Sequence, residues 1–137
     1  MSSRYWPNYA WALRATAENL EALGITKKML YDAFHEEYLT DEQWKTLSLE
    51  EMYDEIAFSG AELTIDVDGQ EVCINMLYLS DENDIHRYTD DNDNTSDTGA
   101  YIEIHQDALY ETTPKPLHGK LLDRNLKFPR IDWVSYG

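Results

Sequence analysis

Apolar residues recur at helical spacing through the first part of the chain. They begin after Pro7, which suits the first turn of a helix because its missing N–H costs little there, and they stop at Gly24, a frequent residue just past a helix end. The recurring residues are Ala10, Leu13, Ala17, Leu20 and Leu23. This pattern predicts one long N-terminal helix.

Capping signals predict three more helices. Thr26 precedes a segment of roughly residues 27–39 whose apolar side chains share one side. Thr40 and Ser48 each begin a capping box, in which the first and fourth residues bond each other's backbone N–H groups, and they predict short helices at about 41–47 and 49–58. Acids in a first helical turn are ordinary partners of the helix dipole. We therefore interpret four such acids as structural, namely Asp41, Glu42, Glu50 and Glu51.

Beyond Gly60 the apolar residues alternate with polar ones, which is typical of a strand. The dipeptide Asp68-Gly69 is a strong signal for a two-residue hairpin turn, so a second strand is expected at about 70–79. The hairpin then has an apolar face comprising Ala61, Leu63, Ile65, Val72, Ile74 and Met76. On the other face Asp66 lies directly across from Glu71, and like charges so placed weaken a hairpin. Either an external partner favours negative charge there, or a Lys or Arg of the C-terminal tail lies across the pair.

The rest of the chain predicts less regular structure. Residues 80–99 form a long acidic connection, and a short strand at about 85–89 is expected to pair with one at about 100–105. The tail from Leu117 has enough apolar residues to dock on the body but no regular period. We predict a single α+β domain over residues 1–137. Its helical N-terminal half, of three to four helices, packs on a small antiparallel sheet of three to four strands, and the C-terminal tail is irregular.

Charge is the strongest feature of the sequence. The chain carries a net charge of −16, and residues 36–111 hold 22 of its 27 acids but only two bases, Lys45 and Arg87. Such a centre repels nucleic acid and anionic membranes and attracts cations or basic proteins. Solubility alone, metal-ion binding or adaptation to high salt would also account for an acidic composition. The pattern predicts a class of partner, a basic protein, without naming it.

The sequence also bears on the compartment. The N-terminus lacks the apolar segment of about 7–15 residues that marks a signal peptide, and no apolar run approaches about 18 residues. The single cysteine, Cys73, cannot form an intrachain disulfide and fits a reducing environment. We therefore expect a cytoplasmic protein.

Motifs of catalysis are missing from the sequence. An EF-hand alignment with Gly99 at its sixth position places no charged ligand where calcium needs one. HExxH, G-x-S-x-G and glycine-rich phosphate loops are absent, and Cys73 falls in a strand expected to be core. We expect neither an enzyme nor a cofactor. The alternative is a metal-dependent enzyme built on His86, His105 and Glu103, which requires the two histidine-bearing strands to pair.

The leading hypothesis is a non-enzymatic inhibitor of a nuclease or another nucleic-acid-binding protein, presenting carboxylates where phosphates bind. In composition the acidic centre is similar to the anti-restriction and anti-CRISPR inhibitors of phages and mobile elements. It is equally similar to immunity proteins that neutralise a cognate nuclease toxin, and both likenesses rest on charge rather than on a motif. The expected contact residues are Glu62, Asp66, Glu71, Asp81, Glu82, Asp84, Asp90, Asp91, Asp93, Asp97 and Glu103, with Tyr88 and Tyr101 as aromatic anchors.

Overall fold

A computed structural model describes residues 5–35, 37–80, 84–87, 98–104, 121 and 124–136, and of residues 5–8, 84–87 and 132–136 it describes the backbone alone. The elements in chain order are β1 (Tyr5–Arg14), α1 (Ala17–Ala22), α2 (Lys27–Phe34), α3 (Asp41–Thr46), α4 (Leu49–Phe58), β2 (Glu62–Val67), β3 (Gln70–Leu79), β4 (Asp84–Arg87), β5 (Gly99–Ile104) and β6 (Arg130–Tyr136).

The described strands form one antiparallel sheet in the order β2-β3-β5-β1-β6-β4. The predicted α+β class is confirmed. The sheet has six strands rather than three to four, because the chain contributes a strand at each end of its described part. The helices are therefore inserted between the first strand and the remaining five.

The predicted N-terminal helix is wrong over its first half, which forms β1. Ala10 and Ala12 are buried on one face of this strand, whereas Trp11 and Leu13 pack against the core on the other face. A central strand that is apolar on both faces shows no alternation, and its apolar residues can fall at helical spacing by chance. The helix itself begins later, where Thr16 caps α1.

Pro7 is accommodated in β1 by the register of the sheet. The N–H of Ala12 donates to the carbonyl of Pro129 at 3.0 Å. Because bonding alternates along an antiparallel strand, even-numbered residues of β1 bond to β6 and odd-numbered ones face away from it. Pro7 lies opposite Val134, at a position whose backbone N–H would point away from β6. The proline therefore costs the β1–β6 ladder no hydrogen bond.

The C-terminal tail, predicted to be irregular, ends in the strand β6 next to β1. Before it, Leu121, Leu126 and Phe128 are buried in the main core. The short strand β4 was predicted to pair with the strand now identified as β5, and this is wrong. It pairs with β6, so β1 and β6 separate β4 from β5.

Helices α2, α3 and α4 begin at the predicted caps, Thr26, Thr40 and Ser48, and both capping boxes are formed. The main core lies between the helices and one face of the sheet, and joins helical residues such as Met52 to strand residues such as Ile74. A smaller cluster lies on the opposite face of the sheet and comprises Ala10, Ala12, Leu79, Tyr101 and Ile131. That opposite face is apolar around β1 and polar at its β2–β3 end.

Candidate anionic interface

The β2–β3 hairpin forms in the predicted register. Val67 pairs with Gln70 across the turn, and Asp68 and Gly69 have φ values of 52° and 90°, the positive values that a two-residue type I′ turn requires. One carboxylate oxygen of Asp66 accepts the N–H of Gly69 at 2.7 Å. An acid at position 66 thus has a local role in holding the turn.

Six exposed side chains form what we call the outer hairpin face. They are Glu62, Thr64, Asp66, Glu71, Cys73 and Asn75. Their neighbours along each strand are buried, so the predicted apolar face is confirmed. Within the described part of the chain, no Lys or Arg forms an ion pair with Glu62, Asp66 or Glu71. Among the residues that the structure describes, no cation therefore compensates these three carboxylates at short range.

The negative charge continues onto β5 through a side-chain hydrogen bond. Register places Glu62 across from Asn75, and Asn75 across from Glu103. Asn75 Nδ2 donates to Glu103 Oε1 at 3.1 Å, which holds this half-exposed carboxylate in position. Glu62, Glu71 and Glu103 are thus carried by three adjacent strands of a rigid sheet.

One basic residue of the tail reaches the hairpin, but at the turn. Arg124 forms an ion pair with Asp68 at 2.5 Å and also donates to the Ala22 carbonyl at 3.0 Å. It does not lie across Asp66 and Glu71. Arg124 therefore does not neutralise the like-charged pair of Asp66 and Glu71.

We expect Glu71→Lys to stabilise the protein. The substitution replaces a like-charged pair with Asp66 by an opposite-charged one, and such cross-strand pairs contribute roughly 0.2–1 kcal/mol. The free energy of unfolding in urea should rise by about that amount. The neutral variant Glu71→Gln should have a stability between those of the wild type and Glu71→Lys. A loss of stability in Glu71→Lys would mean that Glu71 has a structural role at this position.

Tyr101 is not available as an interface anchor, contrary to prediction. Its side chain is 1% exposed and belongs to the smaller apolar cluster with Ala12 and Leu79. Arg14 lies over its ring, with 5.3 Å from the guanidinium carbon to the ring centroid, and donates to its hydroxyl at 3.4 Å. The alternation of residues along β5 predicted that Tyr101 lies on a polar face of the sheet. In the structure that face is apolar around Tyr101.

The prediction that Cys73 belongs to the core is also wrong. The thiol is exposed on the outer hairpin face, 3.9 Å from a carboxylate oxygen of Glu62. β3 is buried on the helix side alone at this point, so Cys73 shares the face of the acids.

Several predicted contact residues lie outside the described residues, namely Asp81, Glu82, Tyr88, Asp90, Asp91, Asp93 and Asp97. Asp84 lies in β4, of which the backbone alone is described, and it pairs with Val134. The described residues therefore bear on Glu62, Asp66, Glu71, Tyr101 and Glu103 only. Of these, the four acids lie on the same face of adjacent strands.

The premise of the metal-dependent enzyme is corrected. His86 pairs with Asp132 of β6, and His105 lies outside the described residues. Three strand spacings separate β4 from β5, which is about 14 Å, so His86 and Glu103 are not on neighbouring strands. Among the described residues, no group of three His, Cys, Asp or Glu side chains is placed to hold a metal ion.

Sequence reasoning missed an exposed aromatic residue, Phe58. It lies at the end of α4, is 72% exposed, and contacts Tyr78 edge-on with 5.2 Å between ring centroids. Three residues separate it along the chain from Glu62, the first residue of β2. The signal was present, because Phe58 lies off the apolar stripe formed by Met52 and Ile56.

A cleft of about 430 Å³ lies between the end of β1 and α4, lined by Arg14, Ala15, Leu47, Glu50, Glu51, Asp54, Glu55 and Ala100. Two of its acids have structural partners, as predicted. Glu50 accepts the N–H of Ala17 at 3.2 Å, and hydrogen bonds from Ser48 lower the pKa of Glu51.

A third acid of the cleft, Asp54, has a perturbed environment. Burial raises the pKa of its carboxyl, the positive charge of Arg14 opposes this, and the negative charge of Glu50 adds to it. Three of the cleft's acids are thus engaged with groups of the fold itself. The outer hairpin face, whose acids form no ion pair with a described Lys or Arg, is the better candidate for binding.

The helices that the structure describes are all too short or too polar to cross a membrane. Comparison of the chain with protein-family models, with curated proteins and with solved structures finds no match.

Proposed function

We propose that this protein is a non-enzymatic inhibitor that binds a basic nucleic-acid-binding protein, such as a nuclease, and blocks the surface that holds phosphates. The observation that carries the proposal is the outer hairpin face together with Glu103. Its carboxylates lie on adjacent, well-packed strands, and no described cation cancels the charge of Glu62, Asp66 or Glu71. Pre-arranged charge of one sign favours a complementary partner and speeds its association.

The spacing of these acids suits a groove that binds phosphates. Glu62 and Asp66 are four residues apart on β2, which is about 13 Å at the rise of a strand. Glu62 and Glu103 are two strands apart, which is roughly 10 Å. Averaged along the strand direction, four negative charges over about 13 Å match the charge density of one DNA strand, which carries one charge per about 3.4 Å of axis. This density is about half that of a duplex.

An aromatic residue beside the acids would supply apolar contact area. Interfaces gain most of their affinity from a few buried aromatic or arginine side chains rather than from charges at the rim. Phe58 is exposed near the start of β2 and contacts Tyr78, which is partly buried against the main core on the helix side of the sheet. In this proposal the exposed Phe58 replaces the buried Tyr101 as the anchor.

A charge-reversal comparison tests the proposal. The double variant Glu62→Lys with Glu71→Lys reverses two hairpin acids and leaves Asp66 in place, because Asp66 accepts the N–H of Gly69 in the turn. Glu21→Lys with Glu37→Lys reverses two exposed acids elsewhere. Each double variant changes the net charge from −16 to −12, since every Glu→Lys adds two charges. Any difference between the variants then reflects position and not net charge.

The measurement is capture by immobilised protein from a nucleic-acid-depleted host lysate, followed by nucleic-acid binding of the captured protein with and without the free inhibitor. We expect wild type and the Glu21/Glu37 variant to retain the same basic protein and to displace its nucleic acid. The Glu62/Glu71 variant should lose at least roughly tenfold in affinity, because two attractions become repulsions. Equal capture by both double variants, or no displacement of nucleic acid by wild type, would reject the proposal.

A further inference from the structure

β2 is at the edge of the described sheet, and its free side can be assigned residue by residue. The carbonyl of Ala61 accepts the N–H of Met76 at 2.8 Å, so this pair occupies a hydrogen-bonded position of the antiparallel ladder. Bonding alternates from there, and Leu63, Ile65 and Val67 also bond to β3. The backbone N–H and C=O groups of Glu62, Thr64 and Asp66 therefore point away from β3.

The same three residues set the chemistry of this edge. Their side chains are exposed on the outer hairpin face, while those of the alternate residues are buried against the helices. Natural edge strands are usually protected from pairing by lysine, proline or a bulge. β2 is six residues long, contains no proline or lysine, and carries a carboxylate at both ends of its free side.

These carboxylates discriminate between possible occupants. A second copy of this chain pairing antiparallel about Thr64 would place Glu62 opposite Asp66 of the other copy, twice. Like charges directly opposite are destabilising, so the edge disfavours self-association. A strand with Lys or Arg opposite Glu62 and Asp66 would form two favourable cross-strand pairs on that face instead.

We propose that the free edge of β2 binds an extended segment of the basic partner as an added antiparallel strand, with Lys or Arg at its first and fifth positions. This rests on the proposed function, because it specifies how the basic partner is held. Backbone hydrogen bonds to Glu62, Thr64 and Asp66 supply affinity, and the two carboxylates select the charge. The second and fourth residues of the segment lie on the helix side, next to Leu63 and Ile65, and are apolar.

A synthetic peptide provides the probe. The acetylated and amidated sequence Thr-Lys-Val-Thr-Val-Lys-Thr has the required spacing, and Lys-Lys-Val-Val-Thr-Thr-Thr has the same composition and charge without it. The full-length, isotope-labelled protein is titrated with each, and amide solvent-exchange rates are measured by NMR. With the first peptide, the amides of Glu62, Thr64 and Asp66 should exchange at least roughly tenfold more slowly, while those of Leu63 and Ile65, already bonded to β3, do not change.

Thr64→Pro separates the edge from the charge. Proline removes the outward N–H at an edge position that tolerates it, whereas Thr64→Val keeps the backbone and changes only the side chain. Thr64→Pro should bind the first peptide roughly tenfold more weakly than Thr64→Val, as expected for the loss of one or two hydrogen bonds. If Thr64→Pro does not fold, the exchange rates of the wild type decide alone.

Each other outcome rejects the strand-addition model. Equal binding of the two peptides without slower exchange means that the acids attract charge but the edge is unused, which leaves the proposed function standing. Slower exchange that depends on protein concentration without peptide identifies a second copy as the occupant. If neither peptide binds, the edge is not a docking site. The inhibitor proposal is then still tested independently by the capture experiment described above.

Discussion

Tyr53→Ala is expected to lower the free energy of unfolding by about 3–5 kcal/mol, the cost typical of removing a large aromatic side chain from a core. Tyr53 is 0% exposed at the centre of the main cluster, between α4 and the sheet. Its hydroxyl donates to the backbone carbonyl of Tyr101 at 2.9 Å, so it joins the helix to β5 by a hydrogen bond as well as by packing. Urea unfolding followed by circular dichroism measures the loss.

The milder variant Tyr53→Phe isolates the hydrogen bond. It should cost about 0.5–1.5 kcal/mol, whereas Tyr31→Phe, on a half-exposed ring with no such bond to the sheet, should change stability by less than about 0.5 kcal/mol. A cost for Tyr53→Ala no larger than that for Tyr53→Phe would contradict the placement of the ring in the core.

The buried phenol of Tyr53 also makes the stability of the protein depend on pH. Burial raises its pKa above the usual value of about 10, and the negative charge of Glu103 adds to this. A raised folded-state pKa contributes stability that is present below about pH 10 and is lost as the pH rises further, because the unfolded chain ionises first. The stability difference between wild type and Tyr53→Phe should therefore narrow above pH 10.

Local signals in the sequence were sufficient for the central part of the fold. Caps at Thr26, Thr40 and Ser48 and the Asp68-Gly69 turn each act within about four residues, so they predicted the helix starts and the hairpin register correctly, whereas α2 ends at Phe34 and not near residue 39. β1 was missed because both of its faces are buried, which removes the alternation that identifies a strand. The pairing of β4 with β6 depends on contacts between distant parts of the chain, and no short-range pattern encodes them.

The candidate site was predicted to a similar extent. Glu62, Asp66 and Glu71 share an exposed face, because alternation within a hairpin of known register fixes which way each side chain points. The same alternation could not show that Tyr101 is covered, since that depends on its neighbours Ala12 and Leu79 from other strands. It also could not show that Asp66 accepts a hydrogen bond from the turn. An acid in such a position can serve the fold and a partner together.

The second large effect is expected at Gly99, where β5 begins next to Arg14. The φ of Gly99 is 122°, a value that residues with a side chain rarely adopt, at a cost of about 1–3 kcal/mol. A Cβ there would also lie 2.8 Å from a guanidinium nitrogen of Arg14. Arg14 would have to move away from the ring of Tyr101, with the loss of a contact worth about 0.5–2 kcal/mol. Gly99→Ala should therefore destabilise the protein by roughly 2–4 kcal/mol in urea unfolding.

Two controls separate the backbone from the contact. Gly60 has a φ of 73° and nothing within 4 Å of an added Cβ, so Gly60→Ala reports the cost of a positive φ alone, about 1–2 kcal/mol. In an Arg14→Ala background the clash is gone, and Gly99→Ala should cost clearly less than in the wild type. The double-mutant cycle gives the coupling directly. If the cost of Gly99→Ala is the same in both backgrounds, backbone conformation alone requires glycine, and the close approach of Arg14 contributes nothing to that requirement.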